Sequence, residues 1–309
     1  MVAWALLFPG QGSQFSGMGR DIYEAYPAAR ELFAHADEHL GFSLSKLCFE
    51  GTEEELKRTE ITQPAILSVS SAYGAIVKAA GQTPAFVAGH SLGEYSALVF
   101  AGALSFRDAV RTVHFRGKYM QEAVPEGQGA MAAVISDDIA LIEAGCREAS
   151  AAGVVSVANY NAPSQIVISG RKEAVDKAVE VLKGMGIRKI IPLKVSAPFH
   201  CALMEPAAVR LRAILDHIEF KDAFIPVVTN VDAVPQTKGD ILRDSLERQV
   251  PNPVKWIQTI AFMKSQGVTR FVEVAPGKVL SGLISKIYGE AEVISLPDVA
   301  ALKQFLGSA

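Results

Sequence analysis

Ala85-Phe86-Val87-Ala88-Gly89-His90-Ser91-Leu92-Gly93 is a short apolar run that ends in a serine with a glycine two residues to either side. The chain from there through Ala101 reads as a helix, so the stretch predicts a buried strand, a tight turn and a helix. In a G-x-S-x-G turn of this kind, strain lifts the serine Oγ out of the sheet. Glycines let the neighbouring chain pass close, and the helix start offers N–H groups to an oxyanion. Ser91 is therefore the candidate nucleophile; the plainer reading is a small-residue turn packed for structural reasons.

Working outward, Val2–Phe8 is another unbroken apolar run, closed by Pro9-Gly10-Gln11-Gly12-Ser13, and reads as a strand buried on both faces. A helix follows with the stripe Ile22, Tyr26, Ala29, Phe33, Ala36 and Leu40, and Gln63–Ala80 reads as a buried helix. Ser105 and Asp108 cap a helix reaching about Met120. From Gly129 the pattern changes. Strand Gly129–Ile135, a helix capped by Ser136, strands Val154–Asn159 and Gln165–Ser169, helix Glu173–Lys183 and strand Ile187–Val195 give β-α-β-β-α-β, the ferredoxin-like unit. Helix–strand alternation then resumes with strand Pro226–Asn230. The expected fold is α/β: a large α/β-hydrolase-like parallel-sheet domain, 1–127 with 196–309, carrying an inserted ferredoxin-like domain, 128–195.

Composition narrows the function. The 309 residues are 50% hydrophobic and 20% charged, as a folded enzyme would be. Thirty basic against 33 acidic residues leave a net charge of −3, with no basic cluster for nucleic acid. No run is long and apolar enough for a membrane span, and the N-terminus lacks the basic flank of a secretory signal. Cys48, Cys146 and Cys201 are odd in number and widely spaced, which argues against a disulfide framework or zinc site and for a cytoplasmic protein.

A serine nucleophile needs a base. Among six histidines, His90 adjoins Ser91 and should point away from it, while His114 and His217 lie in helical patterns. His200 sits in the irregular segment Ser196-Ala197-Pro198-Phe199-His200 after the last inserted strand and is the candidate base. No acid stands at a plausible strand end between Ser91 and His200, so a Ser-His dyad is expected, oriented by a main-chain carbonyl or a later group. Arg116 lies in a helix with the stripe Val110, Val113, Gly117 and Met120; its spacing alone favours a solvated arginine over a carboxylate clamp. His35-Ala36-Asp37-Glu38-His39 fits a zinc-protease pattern, yet both histidines fall off the helix stripe. Gly10-Gln11-Gly12 invites a dinucleotide reading, but Phe15 stands where the third glycine belongs.

Taken together these segments resemble the malonyl-CoA:acyl carrier protein transacylase family across essentially the whole chain. The resemblance rests on Phe8-Pro9-Gly10-Gln11-Gly12-Ser13-Gln14, on Gly89-His90-Ser91-Leu92-Gly93-Glu94-Tyr95 and on Phe115-Arg116-Gly117. Gly129 to Val134, Asn159 to Asn161, Pro198-Phe199-His200, and Gln249 with Pro253-Val254-Lys255-Trp256 extend it. It implies that Ser91 is acylated and His200 is its base, with Gln11 and the Leu92 N–H in the oxyanion hole. It further implies that Arg116 holds the malonyl carboxylate and that the Gln249 carbonyl orients His200. Phe199, in the acyl pocket, departs from the small residue of many stand-alone members and resembles the modular synthase version that selects malonyl over methylmalonyl groups. The implied partners are malonyl-CoA and acyl carrier protein, which brings its own phosphopantetheine, with no metal or other cofactor, and the chain acting as a monomer. A serine thioesterase or esterase, and an idle carrier-binding module, are the competing readings.

Overall fold

A computed structural model describes residues 3–195 and 197–307, so Val2 and Ser196 lie outside the described residues. Its strands are β1 (Trp4–Phe8), β2 (Phe86–Gly89), β3 (Gly129–Ile135), β4 (Val155–Ala162), β5 (Gln165–Arg171), β6 (Lys189–Pro192), β7 (Val227–Val228), β8 (Pro235–Gln236), β9 (Arg270–Val274) and β10 (Glu292–Leu296). Six of them form one sheet in the order β10-β9-β1-β2-β7-β8, parallel except where β8 turns back on β7. The parallel strands fan out in both directions from β1, the arrangement in which ligand crevices open at the C-terminal strand ends.

The unbroken apolar run of β1 has a physical cause. Leu6 and Phe8 pack into one core with helices Pro27–Leu40, Thr59–Ala79 and Phe106–Glu122, while Ala5 and Leu7 pack against helices Trp256–Ser265 and Val279–Ile287. Helices therefore cover both faces of the strand. Phe8 pairs with Gly89, so the chain after β1 and the chain after β2 emerge side by side.

The second sheet is antiparallel, in the order β4-β5-β3-β6. Ala132 and Val134 of β3, with Ile166 and Ile168 of β5, face helices Ile139–Ala149 and Lys172–Gly184. The alternate residues Met131, Ala133 and Val167 turn towards the core of the parallel sheet. The small sheet is thus an apolar wall laid over the larger unit.

Local differences from the sequence expectations have identifiable causes. The first helical stripe is two helices, Arg20–Ala25 and Pro27–Leu40, because Tyr26 is extended at φ −131°, as the residue before a proline prefers. The buried helix starts a turn earlier, at Thr59, and runs through Pro64. Proline lacks the N–H that would reach the Glu60 carbonyl, and His114 Nδ1 donates to that carbonyl instead at 2.8 Å. Asp138, not Ser136, caps the helix after β3, accepting from the Leu141 N–H. Strand β7 has only two residues, and β6 is confined to Lys189–Pro192. Among the described residues no helix is long and apolar enough to cross a membrane.

Candidate active site

The serine turn joins β2 to helix Gly93–Phe100, with both glycines needed for close approach. A Cβ on Gly93 would overlap the Phe8 carbonyl, and one on Gly89 would overlap the Gly93 backbone. Ser91 itself has φ 51°, a left-handed conformation that a residue with a side chain seldom takes. Its N–H donates to Asn230 Oδ1 at 2.6 Å, and Asn230 Nδ2 donates to the Gly89 carbonyl at 2.6 Å.

His200 is 3% exposed and also left-handed, at φ 57°. Its Nε2 lies 2.8 Å from Ser91 Oγ. Its Nδ1 faces two carbonyls, Gln249 at 3.0 Å and Asn252 at 3.2 Å. Carbonyls only accept, so Nδ1 carries the proton and Nε2 presents its lone pair to the serine hydroxyl. Burial first, and the Arg116 charge second, push the imidazole down to about 3, which keeps it neutral with its Nε2 lone pair free.

Arg116 is 1% exposed, which overturns the solvated arginine that its spacing favoured. The cause is Gly117: an added Cβ there would stand 2.5 Å from the Thr59 carbonyl oxygen, so two helices meet where no side chain intervenes and cover Arg116. The guanidinium donates to Gln63 Oε1 at 2.9 Å, Gln249 Oε1 at 2.8 Å and Ser91 Oγ at 3.1 Å, while its buried Nε has no partner. All these acceptors are neutral. Among the described residues, no carboxylate lies within ion-pair distance of it.

Glu94, wholly buried on the helix after Ser91, was missed by the sequence reading. Its Oε2 accepts from the Asn230 N–H at 3.0 Å and from Gln249 Nε2 at 2.8 Å, and burial pushes its carboxyl up to about 7. Gln63, Asn230 and Asn252 were missed as well. Position after a parallel strand was the available signal for Asn230, since such residues reach the crevice at the strand ends.

Gln11, Leu92 and Phe199 line one cavity with Ser91, His200 and Arg116, closed on the small-sheet side by Met131 and Val167. Its volume of about 190 Å³ lies below the roughly 300 Å³ at which pockets for drug-sized ligands begin, so it suits a short acyl group. His90 points away from the serine, with Nε2 2.8 Å from Asn161 Oδ1. His35 is exposed on its helix, and no three metal-ligating side chains cluster among the described residues.

Residues 5–303 match the acyl transferase domain family. A malonyl CoA-acyl carrier protein transacylase of Escherichia coli (strain K12) is 49% identical over 303 residues, covering 98% of each chain. One of Bacillus subtilis (strain 168) is 50% identical over 295 residues, 95% of this chain and 93% of that one. A malonyl-transacylase solved in complex with a type II PKS acyl-carrier protein superposes with a TM-score of 0.96 at 44% identity, covering 99% of this chain and 100% of that one. An acyl carrier protein S-malonyltransferase of Vibrio cholerae superposes with a TM-score of 0.95 at 44% identity, covering 98% and 99%.

Proposed function

The chain belongs to the acyl transferase family, and from that premise we propose that it moves a malonyl group from malonyl-CoA to the phosphopantetheine thiol of acyl carrier protein, supplying fatty acid biosynthesis. It is a transferase. The observation that carries the choice of acyl group is the buried Arg116 guanidinium, beside Ser91 and His200, with neutral partners only. A substrate carboxylate completes that pairing; an unpaired buried cation is otherwise costly. A hydrolase of neutral esters has no use for it.

In this reading the cleft lies between a catalytic domain, 1–127 with 196–309, and an inserted domain, 128–195. Ser91 Oγ attacks the thioester carbonyl carbon while His200 Nε2 takes its proton. The Leu92 N–H and Gln11 hold the oxyanion, aided by the start of helix Gly93–Phe100. Collapse breaks the C–S bond, and His200 returns the proton to the departing CoA sulfur. The Gln249 carbonyl keeps the imidazole in the required tautomer. Phe199 limits the acyl pocket. The carrier's thiol then gives its proton to Nε2 and attacks the malonyl-serine carbonyl; the C–O bond to Ser91 breaks, Nε2 returns the proton to Oγ, and the new thioester leaves, a ping-pong sequence. Every step falls to side chains and N–H groups of this chain, so the reading calls for no resident cofactor. The three cysteines are free and buried, in keeping with a cytoplasmic enzyme.

Intact mass measured after mixing with malonyl-CoA tests this. A single malonyl adduct that disappears on adding holo acyl carrier protein is expected. No adduct would leave a binding module, and loss of the adduct to water as fast as to thiol would leave a thioesterase.

A further inference from the structure

The nucleophile turn has a geometric problem that its own residues do not solve. The Ser91 N–H lies outside the hydrogen-bonding rings of the helix that follows, and the Gly89 carbonyl stands at the end of β2, beyond the two residues of β7. The Gly89 carbonyl is buried and the Ser91 N–H partly so, and both need partners. A primary amide carries an NH2 donor group and a carbonyl acceptor on one rigid plane, and the wholly buried Asn230 commits one bond from each here, both at 2.6 Å. We propose that Asn230 is the positioning residue for the nucleophile, holding Ser91 left-handed so that Oγ meets His200. The inference rests on Ser91 being the acylated residue.

Asn230 is itself fixed from two directions. Glu94 Oε2 accepts its N–H at 3.0 Å, from the helix that begins two residues after Ser91. Its carbonyl accepts the Lys255 N–H at 3.0 Å. Lys255 follows the segment whose Gln249 and Asn252 carbonyls hold His200 Nδ1. One asparagine thus ties the turn that carries the nucleophile to the segment that carries the base. Without it, Ser91 at φ 51° has no partner for its N–H and relaxes towards ordinary backbone, which carries Oγ away from Nε2.

The test is single-turnover malonyl-serine formation in Asn230→Ala and Asn230→Asp, followed by quenched flow and intact mass, with thermal melting in parallel. Asn230→Ala should slow acylation at saturating malonyl-CoA by about 10²-fold, the cost of misplacing a reacting atom by about an ångström. KM should move by less than about threefold because Arg116 is untouched, and acetyl transfer should slow by the same factor as malonyl transfer. Asn230→Asp is nearly isosteric and keeps the measurement open if the alanine variant does not fold. Ionised, it has no donor for the Gly89 carbonyl; protonated, it reproduces the donor–acceptor pair of the amide. Asp232 opposes ionisation at this position, as does Glu94 in its charged form above about pH 7, and Arg116, Arg248 and Lys255 favour it, while burial holds His90 and His200 below the ordinary histidine range. The variant-to-wild-type rate ratio should rise as pH falls from about 8 to about 6. A wild-type acylation rate in folded Asn230→Ala, a loss expressed in KM alone, or a flat pH ratio for Asn230→Asp would each overturn the positioning role and leave the acyl-transfer reading standing. Absence of malonyl-serine in the wild type would overturn both.

Discussion

Arg116 Nη2 donates to Ser91 Oγ across 3.1 Å, on the same oxygen that meets His200 Nε2 at 2.8 Å. A cation therefore stands next to both the proposed nucleophile and its proposed base. It favours negative charge developing on Oγ, and it resists the proton that His200 must accept. In the proposed reaction a malonyl carboxylate on the guanidinium would lift that resistance, which would link acyl recognition to the strength of the base.

Ser91→Ala should abolish the covalent adduct with malonyl-CoA while the melting temperature stays within a few degrees of wild type. Oγ is the one enzyme atom that bonds to substrate in the proposed sequence. A stoichiometric acyl-enzyme in that variant, seen by intact mass, would remove Ser91 from the mechanism.

His200→Ala should slow acylation by at least about 10²-fold, the lower end for a positioned general base. The pH dependence is more telling. An imidazole pushed down to about 3 stays neutral through the range in which ordinary histidines charge, so wild-type kcat/KM should lack an acid limb near pH 6.5. The sign for stability follows: unfolded His200 takes up a proton below about 6.5 and folded His200 does not, so its contribution falls as pH drops from there towards about 3. An acid limb near pH 6.5 in the free enzyme, measured with malonyl-CoA below KM, would contradict the buried neutral imidazole.

The sequence exposes local geometry better than tertiary surroundings. The turn at Ser91 was legible because the need for glycine on both sides is written within five residues. The four-stranded antiparallel sheet was legible because period-two and helical patterns alternate in a fixed order. The helix break at Tyr26 was also readable, since Pro27 announces it, but following the apolar stripe alone conceals it. Arg116 is different. Whether it faces water depends on how near helix Thr59–Ala79 comes, and that follows from Gly117 meeting Thr59, 58 residues earlier in the chain. The amides around it, Gln63 and Gln249, converge from separate helices, and no spacing rule brings them together.

Glu94→Gln should change the pH dependence of stability. The carboxyl is pushed up to about 7 from an ordinary 4.5, chiefly by burial, so between those values the native chain holds a proton that the unfolded chain has released. Wild-type stability must then fall as pH rises through that window. Glutamine keeps an acceptor for Asn230 and Gln249 but does not titrate. Its stability relative to wild type should increase between about pH 5 and about pH 8, by up to about 3 kcal/mol. Urea unfolding of both proteins at the two pH values measures this, and a constant difference would mean Glu94 ionises normally.

Arg116→Ala separates recognition from scaffolding. If the guanidinium holds the malonyl carboxylate in a site shielded from water, its removal leaves that charge buried and unpaired. Losing one partner of such a pair costs roughly 2 to 5 kcal/mol, or about 30-fold to a few thousand-fold in kcat/KM for malonyl-CoA. Acetyl-CoA has no carboxylate, so its transfer should be unchanged or faster in the variant. The charge that depresses His200 is also gone, so the imidazole rises towards its ordinary value and the acid limb for acetyl transfer should move to higher pH. The measurement is kcat/KM against pH for both donors in wild type and variant. Equal losses on the two donors would make Arg116 a scaffold for Ser91 and Gln249, and an unmoved acid limb would mean that its charge does not reach the base.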